Sequence, residues 1–163
     1  MKHLLLAVTA AMIAAPVAAQ TATPAATASA PVAYGAPITL VDAMKLIEKG
    51  MKRAEARKLK MAFAVVEPSG ELVAFAKMDD VVYASAHLAQ QKARFAARFR
   101  LPTSEFETRV MGGRTVLLSS DEVIAIGGGV PIVANGRVIG ALGVSGGSAA
   151  DDAAVAWAAL SDR

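Results

Sequence analysis

The dipeptide Asn135-Gly136, set between the apolar runs 130–134 and 137–144, constrains this chain more than any other feature. A two-residue hairpin turn needs positive φ at both central positions, which Asn and Gly tolerate, and its twist matches two strands returning antiparallel. A second pairing signal lies upstream, where the apolar runs 61–67 and 71–77 are joined by Pro68-Ser69-Gly70. Strands that pair as hairpins exclude a doubly wound parallel sheet, in which strands alternate with helices. Helical spacing accounts for most of the rest. Thr39 as an N-cap, Asp42 three residues on, and Met44, Ile47, Met51 and Ala54 predict a helix over 40–58. Further helices are expected over 83–100, ended by Pro102, over 103–110, and after Ser148, whose capping partners are Asp151 and Asp152. A short strand is expected over 123–126. The order predicts an α+β fold: one layered domain with a central antiparallel sheet built from hairpins and covered by helices.

The N-terminal 36 residues read differently. Residues 1–19 have the form of a secretory signal: Lys2 and His3 begin it, an apolar stretch follows, and Val17-Ala18-Ala19 supplies a small-residue cleavage site. The apolar stretch is shorter than the roughly 20 residues that cross a bilayer. An exported protein, periplasmic or extracellular and without stable membrane insertion, is the expectation. Residues 20–36 are mostly Ala, Thr, Ser and Pro without charge, the composition of a flexible linker. The folded domain is expected over 37–163.

Composition then narrows the chemistry. The chain of 163 residues has no cysteine, which rules out disulfides, thiolate-bound zinc, cysteine-held iron–sulfur clusters, covalent c-type haem and a cysteine nucleophile. Its formal net charge of +3 falls to +2 once Lys2 is removed, too little to support nucleic-acid binding. Lys45, Lys49, Lys52, Arg53, Arg57 and Lys58 make one face of the first helix basic. That face is either solvated or the docking surface of a partner such as a sensor protein.

The glycine-rich run from Gly140 to Gly147 invites a phosphate-loop reading, but its spacing matches neither GxGxxG nor GxxxxGK[ST]. Asp151 and Asp152 also occupy the following helix's positive end, where they would repel phosphate. Close backbone packing is the alternative use of those glycines. With the signal removed, His87 is the sole histidine, so neither a two-histidine metal site within one chain nor an imidazole relay is available. Ser145 and Ser148 lack a nucleophile-elbow context.

The second helix carries the most information. Leu88, Phe95 and Phe99 form an apolar stripe, and Lys92 falls within it; a lysine there must snorkel, pair with an acid, or face a pocket or subunit interface. On the adjacent face Tyr83, His87, Gln91, Arg94 and Arg98 recur every three or four residues. Imidazole and phenolate are both axial ligands of haem iron, and two guanidiniums suit its propionates. His87 is therefore the candidate metal ligand, and Tyr83, Lys92, Arg94 and Arg98 join it as candidate cofactor contacts. The same spacing also fits an ordinary helix surface with surface ion pairs.

Three blocks in order resemble the GlcG/HbpS-type haem-binding family: Phe63 to Gly70 leading to Leu72 to Asp79, the helix segment Gln91-Lys92-Ala93-Arg94, and the stretch from Gly128 through Gly147. The resemblance covers about residues 38–160. It implies a compact α+β domain, assembly into dimers or higher homo-oligomers, and a non-covalent tetrapyrrole ligand, with haem binding, buffering or sensing as the function. Any peroxidase-like turnover would belong to the bound haem. Other relatives accompany glycolate oxidation, which implies the alternative of an enzyme or accessory of organic-acid metabolism with Lys92 as base or Schiff-base amine; others again form a domain of cobalamin adenosyltransferases. Phe95 and the loop 105–123 depart from the family pattern.

Overall fold

The structure, a computed structural model, describes residues 31–161. The expected signal and the linker up to residue 30 lie outside the described residues. The element order is α1 (Leu40–Ala56), β1 (Ala62–Val66), β2 (Leu72–Lys77), α2 (Ala84–Phe99), α3 (Thr103–Met111), β3 (Gly129–Ala134), β4 (Arg137–Ser145) and α4 (Ala149–Leu160). All strand pairs are antiparallel, in the order β2-β1-β4-β3. The α+β fold with an antiparallel sheet under helices is as the hairpin signals imply.

Both hairpins close as their turn residues dictate. Asn135 and Gly136 have φ of +50° and +69°, the positive pair that a two-residue turn demands. Pro131 sits in β3, an edge strand paired only with β4, where its missing N–H leaves no inner ladder incomplete. Thr39 and Ser148 cap α1 and α4 by accepting from the backbone N–H of Asp42 and Asp151.

β1 is buried along its whole length and alternates between two cores. Phe63 and Val65 pack with Leu46, Ile47, Val155 and Ala159 beneath α1 and α4. Ala62, Ala64 and Val66 pack on the other face against Ala89, Ala93, Ala96 and Ala97 of α2. The second core is nearly all alanine, and the helix therefore rides close to the sheet. A Cβ on Gly143 would stand within 1.9 Å of the Ala89 carbonyl oxygen, and one on Gly129 within 2.3 Å of that of Lys92. Close packing is thus the use of these glycines. Phe95, Phe99 and Phe106 then stack between α2 and α3, with centroids 4.4 Å apart for the first pair and 4.6 Å for Phe95 and Phe106.

Two expectations change. Residues 123–126 form no strand; the 3-10 turn Thr115–Ser119 precedes them, and Val123 and Ile124 line a depression with Gln91, Arg94 and Phe95 of α2 instead of joining the sheet. The last part of the expected linker is docked rather than free: Gly35 donates to the Val138 carbonyl, Val138 to that of Ala33, and the Tyr34 hydroxyl to that of Arg98 at 2.8 Å.

Candidate functional site

Where α2 passes the β1–β2 hairpin, His87 lines a groove of ≈ 140 Å³ with Val66, Gly70, Leu72, Gln90, Gln91 and Arg94. The hairpin turn sits against α2 because Gly70, at φ +93°, has no Cβ: one there would stand 2.9 Å from Cγ of Arg94. Arg94 Nε donates to the Gly70 carbonyl at 3.3 Å, which holds its guanidinium at the groove. Its ion pair with Glu71 is long, 3.9 Å, and solvent-exposed on both sides, so it restrains the guanidinium weakly. The His87 side chain is exposed and makes no hydrogen bond with another described residue. An imidazole in that state keeps both ring nitrogens available.

A second depression of ≈ 130 Å³ adjoins the first and shares Gln91 and Arg94 with it; Asp121, Glu122 and Val123 form its far side. Glu122 takes Arg98 in an ion pair of 2.8 Å. The face of α2 read from the sequence is thus real, since His87, Gln91, Arg94 and Arg98 all project outward. Its members differ in what they can do. His87 and Arg94 share a groove, Arg98 is engaged by Glu122, and Tyr83 stands before the helix at 92% exposure, away from the groove walls, with the Lys77 ammonium 5.8 Å from its ring.

Lys92, expected among the cofactor contacts, does not join them at the groove. Its side chain is 1% exposed and points to the opposite side of α2, where Nζ donates to Oδ2 of Asp152 at 2.7 Å and to the Val144 carbonyl at 3.2 Å. Asp152 also accepts from the Gly147 N–H at 2.9 Å. Burial raises the Asp152 pKa above the ordinary carboxylate value, the bonds from Lys92 and Gly147 opposing but not cancelling it. Of the alternatives for a lysine in an apolar stripe, pairing with an acid is the one realised.

The remaining chemistry is limited. Among the described residues no group of three His, Cys, Asp or Glu side chains could hold a metal ion by itself. The Ser148 hydroxyl is committed to Asp151 as a cap, so it is no free nucleophile. What the groove offers is one open imidazole, a guanidinium and the apolar Val66 and Leu72, the latter 48% exposed. The sequence reading missed Val66, Gly70, Leu72, Gln90 and Glu122; only Gln90, one turn from His87, carried a signal in its spacing.

Residues 38–161 match the family described as haem degrading protein, HbpS-like. Protein GlcG of Escherichia coli K12 is 39% identical over 103 residues, covering 63% of this chain and 77% of GlcG. The solved structure of protein ORFY from Klebsiella pneumoniae superimposes with a TM-score of 0.72 at 31% identity, covering 77% of this chain and 90% of ORFY. The PduOC–haem complex gives a TM-score of 0.71 at 26% identity, covering 78% of this chain and 95% of PduOC.

Proposed function

The chain belongs to the HbpS-like family, and we propose on that footing that it is an exported haem-binding protein in which His87 is the side chain that reaches the iron. The observation that carries this reading is the open imidazole of His87 on a groove wall, with apolar Val66 and Leu72 beside it and Arg94 at its end. The solved PduOC structure, of the same fold, is a complex with haem, which supports the same ligand class.

The residues fit the group in chemistry. A neutral imidazole is a common haem ligand, and Arg94 provides a charge-assisted partner for a propionate. The groove is smaller than the about 300–1,000 Å³ of an enclosing ligand pocket. A macrocycle would therefore need more wall than this groove supplies, and a second copy of the chain is the proposed source of it. Bound iron porphyrin would supply any redox chemistry itself. This chain's own residues hold and orient: His87 fixes the metal, Arg94 fixes the propionate edge, and the sealed α2–sheet interface keeps the helix still. Storage or buffering of haem needs no more than that. Tyr83 is a weaker ligand candidate because it stands outside the groove. Export rests on residues 1–19 alone.

The test is a hemin titration of the exported chain, followed by absorption. Wild type should show a saturable Soret band that His87→Ala loses and Tyr83→Phe keeps. No saturable band in wild type overturns haem binding; an unchanged band in His87→Ala overturns the ligand assignment. The organic-acid enzyme reading finds no comparable support, since its base, Lys92, is 1% exposed and paired with Asp152.

A further inference from the structure

At the other end of α2, thirteen residues and roughly 20 Å along the helix from His87, Arg100 forms part of a separate cavity. This space measures ≈ 280 Å³, twice the groove at His87. Its walls are Trp157 and Leu160 of α4, Val133 of β3, Pro102 and Val32, and Arg100 is the sole charged residue among them. Trp157 and Val133 are each 48% exposed and Val32 41%, an unusual amount of large apolar surface left wet at one place.

The cation is under-partnered. Arg100 ends α2 in the left-handed conformation, φ +57°, which turns its side chain back over the Tyr34 ring at 4.8 Å. Nη1 donates to the Val32 carbonyl at 3.1 Å, Nε is buried without an acceptor, and no carboxylate of the described residues pairs with it. A guanidinium has five N–H donors in a planar fork suited to a carboxylate. Apolar walls around such a group strengthen a bond to an anion by excluding water. An inorganic anion gains little here, because no second cation lines the cavity and most of the wall is hydrocarbon. A ligand that satisfies both parts is an anion with an apolar body.

We propose that this cavity binds a small apolar monocarboxylate, its chain or ring against Trp157, Leu160 and Val133 and its carboxylate on the Arg100 guanidinium. The site is independent of the haem reading, sharing no residue with the His87 groove.

Trp157 is the chain's single tryptophan, so intrinsic fluorescence reads this wall alone. The full chain is titrated with octanoate and, in parallel, with 1-octanol. Octanoate should give a saturable change, at least tenfold tighter than the alcohol. Arg100→Gln should weaken octanoate at least tenfold at an unchanged melting temperature, Val133→Phe should abolish the response by filling the cavity, and His87→Ala should leave it intact. Should Arg100→Gln fail to fold, Val133→Phe at a surface-reachable position still decides the matter. The proposal is overturned by no saturable response to octanoate, by equal affinity for the alcohol, by a Val133→Phe variant that still responds, or by a Trp157 signal that follows protein concentration instead of ligand, which would mean that a second copy covers this face.

Discussion

Lys92 and Asp152, sixty residues apart in the chain, meet as a 2.7 Å ion pair with 1% and 3% of their side chains exposed. The pair ties the middle of α2 to the first turn of α4 across the end of β4, whose Val144 carbonyl accepts a further hydrogen bond from Lys92. Breaking it from one side leaves a charge buried without a partner, which costs about 3–5 kcal/mol, whereas neutralising both sides is far less costly. Lys92→Met should therefore lower the unfolding free energy by about 3–5 kcal/mol, and Lys92→Met combined with Asp152→Asn should recover at least about half of that loss. Urea unfolding of the single and double variants checks both. A cost below about 1 kcal/mol for Lys92→Met, the size of an exposed pair, would contradict the structural role.

Asp151 and Asp152 adjoin in sequence yet shift in opposite directions. The Ser148 hydroxyl, with Arg57 Nη2 at 2.6 Å, holds the Asp151 carboxyl below its usual 3.8, while burial pushes Asp152 above it. A lowered folded-state pKa gives stability that is present above the unfolded value and lost as pH falls through the folded one. For the raised Asp152 the sign reverses: its contribution is fullest below 3.8 and declines as pH rises through the folded pKa. Asp151→Asn should accordingly melt lower than wild type at pH 7, with the gap narrowing below pH ~3.8, where the unfolded state binds the proton, and closing once pH falls through the lowered folded pKa. Melting temperatures at pH 7, 5, 3 and 2 measure this. A gap that stays constant to pH 2 would mean that the loss is one of cap geometry and not of charge.

The alanine and glycine interface beneath α2 leaves no slack. A Cβ on Gly143 would lie 1.9 Å from the Ala89 carbonyl oxygen and 2.6 Å from the Ala93 nitrogen, both backbone atoms of the helix that carries His87. Overpacking a core commonly costs about 1–3 kcal/mol, and a clash with helix backbone cannot be relieved by a rotamer change. Gly143→Ala should lose more than about 3 kcal/mol, and any folded fraction should bind hemin less tightly because α2 shifts against the β1–β2 hairpin. Gly136→Ala, with nothing within 4 Å of its Cβ but φ at +69°, should cost only about 1 kcal/mol. Chemical denaturation separates the two, and equal costs would show that close approach is not what requires glycine at 143.

How much of this was legible in the sequence follows from how local each signal is. The Asn135-Gly136 turn and the Thr39 and Ser148 caps are encoded within a few residues, and they fix one hairpin and two helix starts. Lys92 announced itself by falling in an apolar stripe. Its partner did not, because Asp152 already had an adequate local role at the helix N-terminus, and only the fold shows that it faces inward. The groove was less legible still: its size depends on how closely the 67–70 turn approaches α2, which Gly70 permits but no periodicity reveals. Residues 123–126 misled because an apolar tetrad reads as a strand whether or not a free edge stands beside it.

Arg94 and Arg98 looked equivalent by spacing, and the structure separates them. Arg94 stands in the His87 groove, bonded to the Gly70 carbonyl and with only a 3.9 Å exposed pair to Glu71 as its carboxylate contact, while Arg98 is held by Glu122 at 2.8 Å. A charge-assisted hydrogen bond to a ligand is worth about 1.5–3 kcal/mol, or roughly 10–100-fold in affinity. If hemin binds as proposed, Arg94→Ala should weaken it by at least about tenfold. Arg98→Ala should change it by less than about threefold, because the arginine's strongest partner is already a protein carboxylate. Glu122→Gln releases Arg98 and should tighten hemin binding by roughly two- to fivefold at low salt, the effect fading as added salt screens the exposed charges. Soret titrations of the three variants at two ionic strengths, each with a melting curve to establish folding, test the ordering. A collapse of binding in Arg98→Ala with Arg94→Ala unaffected would place the propionate edge over the 121–124 depression instead of the hairpin groove.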